Sequence, residues 1–154
     1  MVKAILIHPD FDAAPSKLKR PFELVASLLR VTNAHYNGDT GMIDQLEAMG
    51  HSPFDWPTPD GYPDTAAEWS GNMLDRWNLC LNAFNDDLPG VEIDVTALSN
   101  AVNTTQENQL SLLSQLFLKR ILRANELQTL MPIANENLPE ALALLAASPA
   151  FQWR

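Results

Sequence analysis

Cysteine occurs once in the 154 residues, at Cys80, so no disulfide can close within the chain and the redox compartment stays open. Histidine is almost as scarce. His8, His35 and His51 stand far apart and match no zinc-ligand spacing, so no metal site is expected. No apolar run approaches the ~18 residues of a membrane span. The apolar run at residues 4–7 is too short for a signal-peptide core, so neither export signal nor anchor is read in the chain as it stands. Alternating, β-branched stretches are missing as well, which argues against a substantial sheet. Nor is there a G-x-S-x-G, an H-E-x-x-H or a glycine-rich phosphate loop. No catalytic residue can be assigned, whether the chain is an enzyme stays open, and no cofactor is implied.

Basic residues are outnumbered, with 10 Lys and Arg against 19 Asp and Glu for a net charge of −9. The deficit is concentrated between residues 39 and 107, where thirteen acids face one base, Arg76. Such a middle repels phosphate backbones, and no nucleic-acid partner is expected. Lys119, Arg120 and Arg123 form a small basic cluster, read as a solvated helix end. A hydrophobic fraction of 46% with 19% charged residues is the composition of a globular chain with a real core. At this length one domain over residues 1–154 is expected.

What the chain does have is helical periodicity. Residues 1–7 read as a helix end stopped at His8-Pro9. Pro21 suits the first position of a helix running to about Tyr36, apolar around most of its girth and therefore expected at the centre. Further helices are expected near residues 40–49, 72–85, 96–102, 104–122, 125–131 and 140–147, with Pro132 interrupting the fifth of these. On the helix at 72–85 the apolar face is read as Met73, Leu74, Trp77, Cys80, Leu81 and Phe84. Cys80 is then a core residue rather than a nucleophile. Thr65 to Glu68 and Thr104 to Glu107 both match the capping-box pattern. "AILIHPDF" (4–11) and "LLAASPAF" (144–151) echo one another as a helix stop that swings a phenylalanine back onto the bundle. The fold class is all-α: an irregular bundle of about six or seven helices with a long, ordered, proline-rich loop.

That loop is "FDWPTPDGYPDTAAEW", residues 54–69. Pro53, Pro57, Pro59 and Pro63 stiffen it and its approach, and Thr58-Pro59-Asp60-Gly61 fits a β-turn. Two readings compete. In one it is a strap whose aromatics complete the core. In the other Trp56, Tyr62 and Trp69 stack on a sugar or peptide while Asp55, Asp60, Asp64 and Glu68 accept hydrogen bonds from it. Arg76 lies at the edge of the next helix's apolar face and needs a partner, for which Asp60 and Asp64 are the candidates. Glu23 and Arg30 share the polar stripe of their helix, as an ion pair or with Glu23 as a general acid or base in a cleft. The candidate ligand-binding set is thus Trp56, Asp60, Tyr62, Asp64, Trp69, Arg76, Glu23 and Arg30.

Four stretches in order, "KLKRPFELVASLLR" (17–30), "MGHSPFDWPTPDGYPDTAAEW" (49–69), "LDRWNL" (74–79) and "LALLAASPAFQWR" (142–154), resemble the C-terminal part of the bacterial domain-of-unknown-function 1800 family. The resemblance covers most of the chain. It implies a largely helical fold, longer relatives that are often exported, and a centre at Lys19, Pro21, Glu23, Arg30, Pro59, Gly61, Trp69 and Arg76. His51 stands where its pattern is expected to carry glutamine. The chain is expected to be the C-terminal portion of a longer protein, a non-catalytic helical module packing against the remainder, a protein partner or a second copy of itself. The alternative is a glycan- or peptide-binding protein, or a hydrolase, that uses loop 54–69 and Glu23.

Overall fold

Prolines and left-handed caps decide where helices begin and end. The computed structural model describes residues 2–12, 16–102 and 104–153. Its elements run α1 (Val2–Leu6), α2 (Pro9–Asp12), α3 (Pro21–Thr32), β1 (His35–Tyr36), α4 (Gly41–Ala48), α5 (Ala66–Trp69), α6 (Met73–Phe84), β2 (Val91–Glu92), α7 (Val95–Asn100), α8 (Gln106–Leu118), α9 (Ala124–Glu136), α10 (Leu138–Ala147) and α11 (Pro149–Gln152). Among the described residues, seven helices have six residues or more and four are shorter. The fold is all-α, with one two-stranded antiparallel ribbon pairing His35 with Glu92 and Tyr36 with Val91. No helix among the described residues is long and apolar enough to cross a membrane.

Pro21 opens α3 as expected, but the helix stops at Thr32 rather than Tyr36. Asn33 takes the left-handed conformation (φ 50°) that Asn tolerates at a helix end, and its N–H bonds back to Arg30 O. His35 and Tyr36 are thereby released into the ribbon. Pro132 does not divide the helix around it: α9 runs through it, from a cap at Arg123 rather than Asn125. Thr65 precedes α5 but makes no capping hydrogen bond. In the 104–107 pattern the cap is Thr105, again without a side-chain bond, and the Glu107 side chain lies outside the described residues. Glutamates do cap two other helices. The Arg20 N–H donates to Glu23 Oε2 at 2.9 Å, and the Arg123 N–H donates to Glu126 Oε2 at 2.8 Å.

One hydrophobic core runs from Leu24 to Phe151. Its centre is α10, which packs against α6, α9, α8 and α11, and not α3 as the sequence led us to expect. In α10 the side chains Ala141, Leu142, Ala143, Leu145 and Ala146 are all buried. Small and branched residues alternate there, so neighbouring helices can close on every side. In α3, Phe22 and Arg30 face solvent while Leu24, Val25, Leu28 and Thr32 go inward. On α6 the buried face is Arg76, Leu79, Cys80, Ala83 and Phe84, with Leu74 and Trp77 exposed. The apolar face read from the sequence is thus rotated, and the arginine sits on the inward side. Of the two echoed phenylalanines, Phe151 is buried; the Phe11 side chain lies outside the described residues.

Candidate functional site: an aromatic strap over a buried arginine

The strap begins where Gly50 (φ 75°) ends α4. Two tight turns shape it. The Asp55 N–H reaches Ser52 O at 3.3 Å, and the Gly61 N–H reaches Thr58 O at 3.4 Å, forming the turn anticipated at 58–61. In the first, Phe54 takes φ 64° and is fully exposed. An aromatic residue in that conformation is strained, because the third position of such a turn favours Gly or Asn. Asp60 serves the second turn, accepting from the Thr58 hydroxyl and, at 3.4 Å, from the Trp56 indole N–H. The Thr58 bond, with lesser help from the backbone and Trp56, holds its carboxyl below the usual range.

The aromatics meet around His51, a residue that sequence reasoning passed over. Its ring centroid lies 4.3 Å from Tyr62 and 5.2 Å from Trp69, with Trp56 4.7 Å from Tyr62 on the outer side. These are the edge-on and tilted contacts that ring quadrupoles favour. Trp69 is buried and donates its indole N–H to Pro63 O at 2.9 Å, while the Tyr62 hydroxyl donates to Ser52 O. His51 Nδ1 accepts the Phe22 N–H at 3.3 Å, tying the strap to the first turn of α3. That bond requires a lone pair on Nδ1, so the imidazole is neutral there. Burial holds its pKa down, the Arg20 charge adds to this, Glu23 opposes, and Arg76 lowers it further.

Asp64 is the strap's ionic anchor. Lys17 pairs with it, and Arg20 Nη1 stands 3.9 Å away. Arg20 also reaches Glu23 Oε1 at 3.3 Å. Glu23 is thus joined to Arg20, both through its backbone N–H and through its guanidinium, and not to Arg30 seven residues on.

Arg76 does not clasp the strap. It has no exposed surface, and its guanidinium bonds the segment before α3 and the C-terminal segment. Nη1 donates to Gln152 Oε1 at 2.8 Å and Nη2 to the Lys19 carbonyl, both neutral acceptors; Nε finds no partner. Among the described residues no carboxylate pairs with it, which overturns the expected bond to Asp60 or Asp64. Burial lowers its pKa, with the neighbouring Cys80 opposing. The Cys80 thiol is itself pushed up to about 12 by burial, which keeps it protonated and non-nucleophilic. Around Arg76 the segment leading into α3 is sewn to the C-terminal segment. Leu18 bridges Trp153, the Lys19 N–H donates to Gln152 O at 2.9 Å, and the Lys19 ammonium lies 3.8 Å over the Phe151 ring.

The structure therefore gathers Trp56, Asp60, Tyr62, Asp64, Trp69 and Glu23 in or beside the strap, sets Arg76 beneath it facing the seam, and leaves Arg30 apart at the end of α3. His51, Lys17, Arg20 and Gln152 were missed. Only Arg20 had a usable signal, lying three residues before Glu23 and directly before Pro21. Among the described residues no group of three His, Cys, Asp or Glu is placed to hold a metal ion. A family model described as "Protein of unknown function (DUF1800)" matches residues 1–153. No curated protein and no solved structure matches the chain.

Proposed function

The chain belongs to the DUF1800 family, and we propose that it is a single non-catalytic helical domain that docks a protein surface through α1. The observation that carries this reading is the state of that helix. Val2, Ile5, Leu6 and Ile7, in α1 and just after it, are 70%, 57%, 57% and 71% exposed, and α1 buries no residue. Four large aliphatic side chains grouped in solvent are unusual for a monomer and characteristic of an interaction face. The strap supports the same reading. Asp60 and Glu23 bond neighbours in their own segments, and Asp64 and Arg76 bond distant parts of the chain, so structural duties of these groups are accounted for without a substrate. Size-exclusion chromatography with light scattering tests the reading: self-association, or capture of a partner, that Ile5→Glu with Leu6→Glu abolishes supports it. A monodisperse monomer whose apolar-dye binding is unchanged by those substitutions overturns it.

A second reading has one observation in its favour. Phe54 and Trp56 stand exposed at the tip of the strap, Phe54 in a strained conformation, as a recognition loop would present them to a glycan or peptide. A thermal-shift screen with oligosaccharides and short peptides separates the two readings, because a ligand at 100 times its Kd adds ~2.7 kcal/mol.

A further inference from the structure

Arg30, which the strap does not use, lines a cleft of about 620 Å³ on another face, between the end of α3, the end of α8 and the C-terminal segment. Its volume falls in the ~300–1,000 Å³ range of small-molecule sites. Val31, Leu116 and Phe151 give it an apolar wall, and Trp153 stands partly exposed at its edge. Three of the lining side chains, Lys19, Arg30 and Lys119, are cationic and none is acidic, in a chain with 19 acids and 10 bases. Among the described residues, neither Arg30 nor Lys119 has a carboxylate within ion-pair distance.

A cation at the end of a helix suits the local dipole, and Arg30 and Lys119 stand at the ends of α3 and α8. That explains each charge singly. It does not explain why both open onto one apolar hollow with an indole at its edge. A guanidinium fork matches a carboxylate, while the wall offers burial to hydrocarbon. We propose that this cleft binds a small monocarboxylate carried on an apolar body, with Arg30 and Lys119 holding the carboxylate and the wall holding the body. The inference is independent of docking through α1.

Titration calorimetry on the full chain tests it, with 4-phenylbutyrate and decanoate as aryl and alkyl acids, and with 4-phenylbutan-1-ol and inorganic phosphate as controls. We expect at least one acid to bind, and to bind about tenfold or more tighter than the alcohol and than phosphate. Preference for one acid identifies an aryl or an alkyl source. Arg30→Gln with Lys119→Gln should weaken the acid by about tenfold or more while leaving the melting temperature in place, because both side chains are exposed. Absence of heat with both acids overturns the proposal. So does equal binding of alcohol or phosphate, or an affinity unchanged in the double variant.

Discussion

Moving a guanidinium out of water costs several kcal/mol before any new bond offsets it. At Arg76 the offset comes from the Lys19 carbonyl and from Gln152, whose amide oxygen is buried beside it. Arg76→Ala should therefore destabilise the fold by about 3 kcal/mol or more, through unsatisfied acceptors and a cavity together. Asp60→Asn should leave it essentially unchanged, since Asp60 bonds only Thr58 and Trp56 within its own exposed loop. Urea titration of both variants checks the contrast; equal losses would restore the clasp. His51 sets a pH dependence. Its imidazole titrates near 6.5 when unfolded and lower when folded. Between those values the unfolded chain binds more protons, so stability falls as pH drops below about 6.5 toward the folded value. His51→Gln keeps an acceptor for the Phe22 N–H but cannot protonate. The stability difference between variant and wild type should widen steadily in the variant's favour as urea midpoints are measured from pH 7.5 down to 5. Arg76 was legible as a residue needing a partner. Its partner was not, because Gln152 and a backbone carbonyl carry no charge signal. His51 was invisible for a different reason: ring packing across the strap leaves no spacing in the sequence.

Helices α3, α6, α8 and α10 lie close to where periodicity put them, because each has an apolar face long enough to dominate local noise. Faces were read less well. Beside Leu79 and Phe84 the buried face of α6 holds the small Cys80 and Ala83, which let α10 close in, whereas Leu74 and Trp77 stay in solvent. Volume that closes against α10 decided the face, not hydrophobicity alone. Pro132 misled for a related reason. Exposed on α9, it loses one backbone bond but leaves the buried Leu130 and Ala134 in register, so packing overrides the break. Pro132→Ala should accordingly stabilise the protein, by about 1–2 kcal/mol, visible as a raised melting temperature. At the start of α10 the Asn137 side chain accepts the Glu140 N–H at 3.3 Å, and Asn137→Ala should cost about 1 kcal/mol. The strap itself was legible as ordered: its prolines and its 58–61 turn were readable, while its grip on α3 through His51 was not.

For the molecule as a whole, charge and topology are coupled through the ends of the chain. The acids lie mainly in the middle, and the cations at Lys17, Lys19 and Arg20 fall on the segment that the C-terminal residues bridge. Lys17 and Arg20 meet the strap's Asp64 from there, so sequence regions of opposite sign are brought together without a regular sheet. None of this is periodic, which is why the sequence could suggest an all-α bundle but not its closure. The seam at Leu18 and Trp153 has one more consequence. Residues far apart along the chain become neighbours, so the order in which the polypeptide is threaded should be dispensable. A circularly permuted version of residues 18–153, joined by a short glycine-serine tether across residues 153 and 18 and opened at the exposed 58–61 turn, should fold to the helical content of the same segment in its native order by circular dichroism.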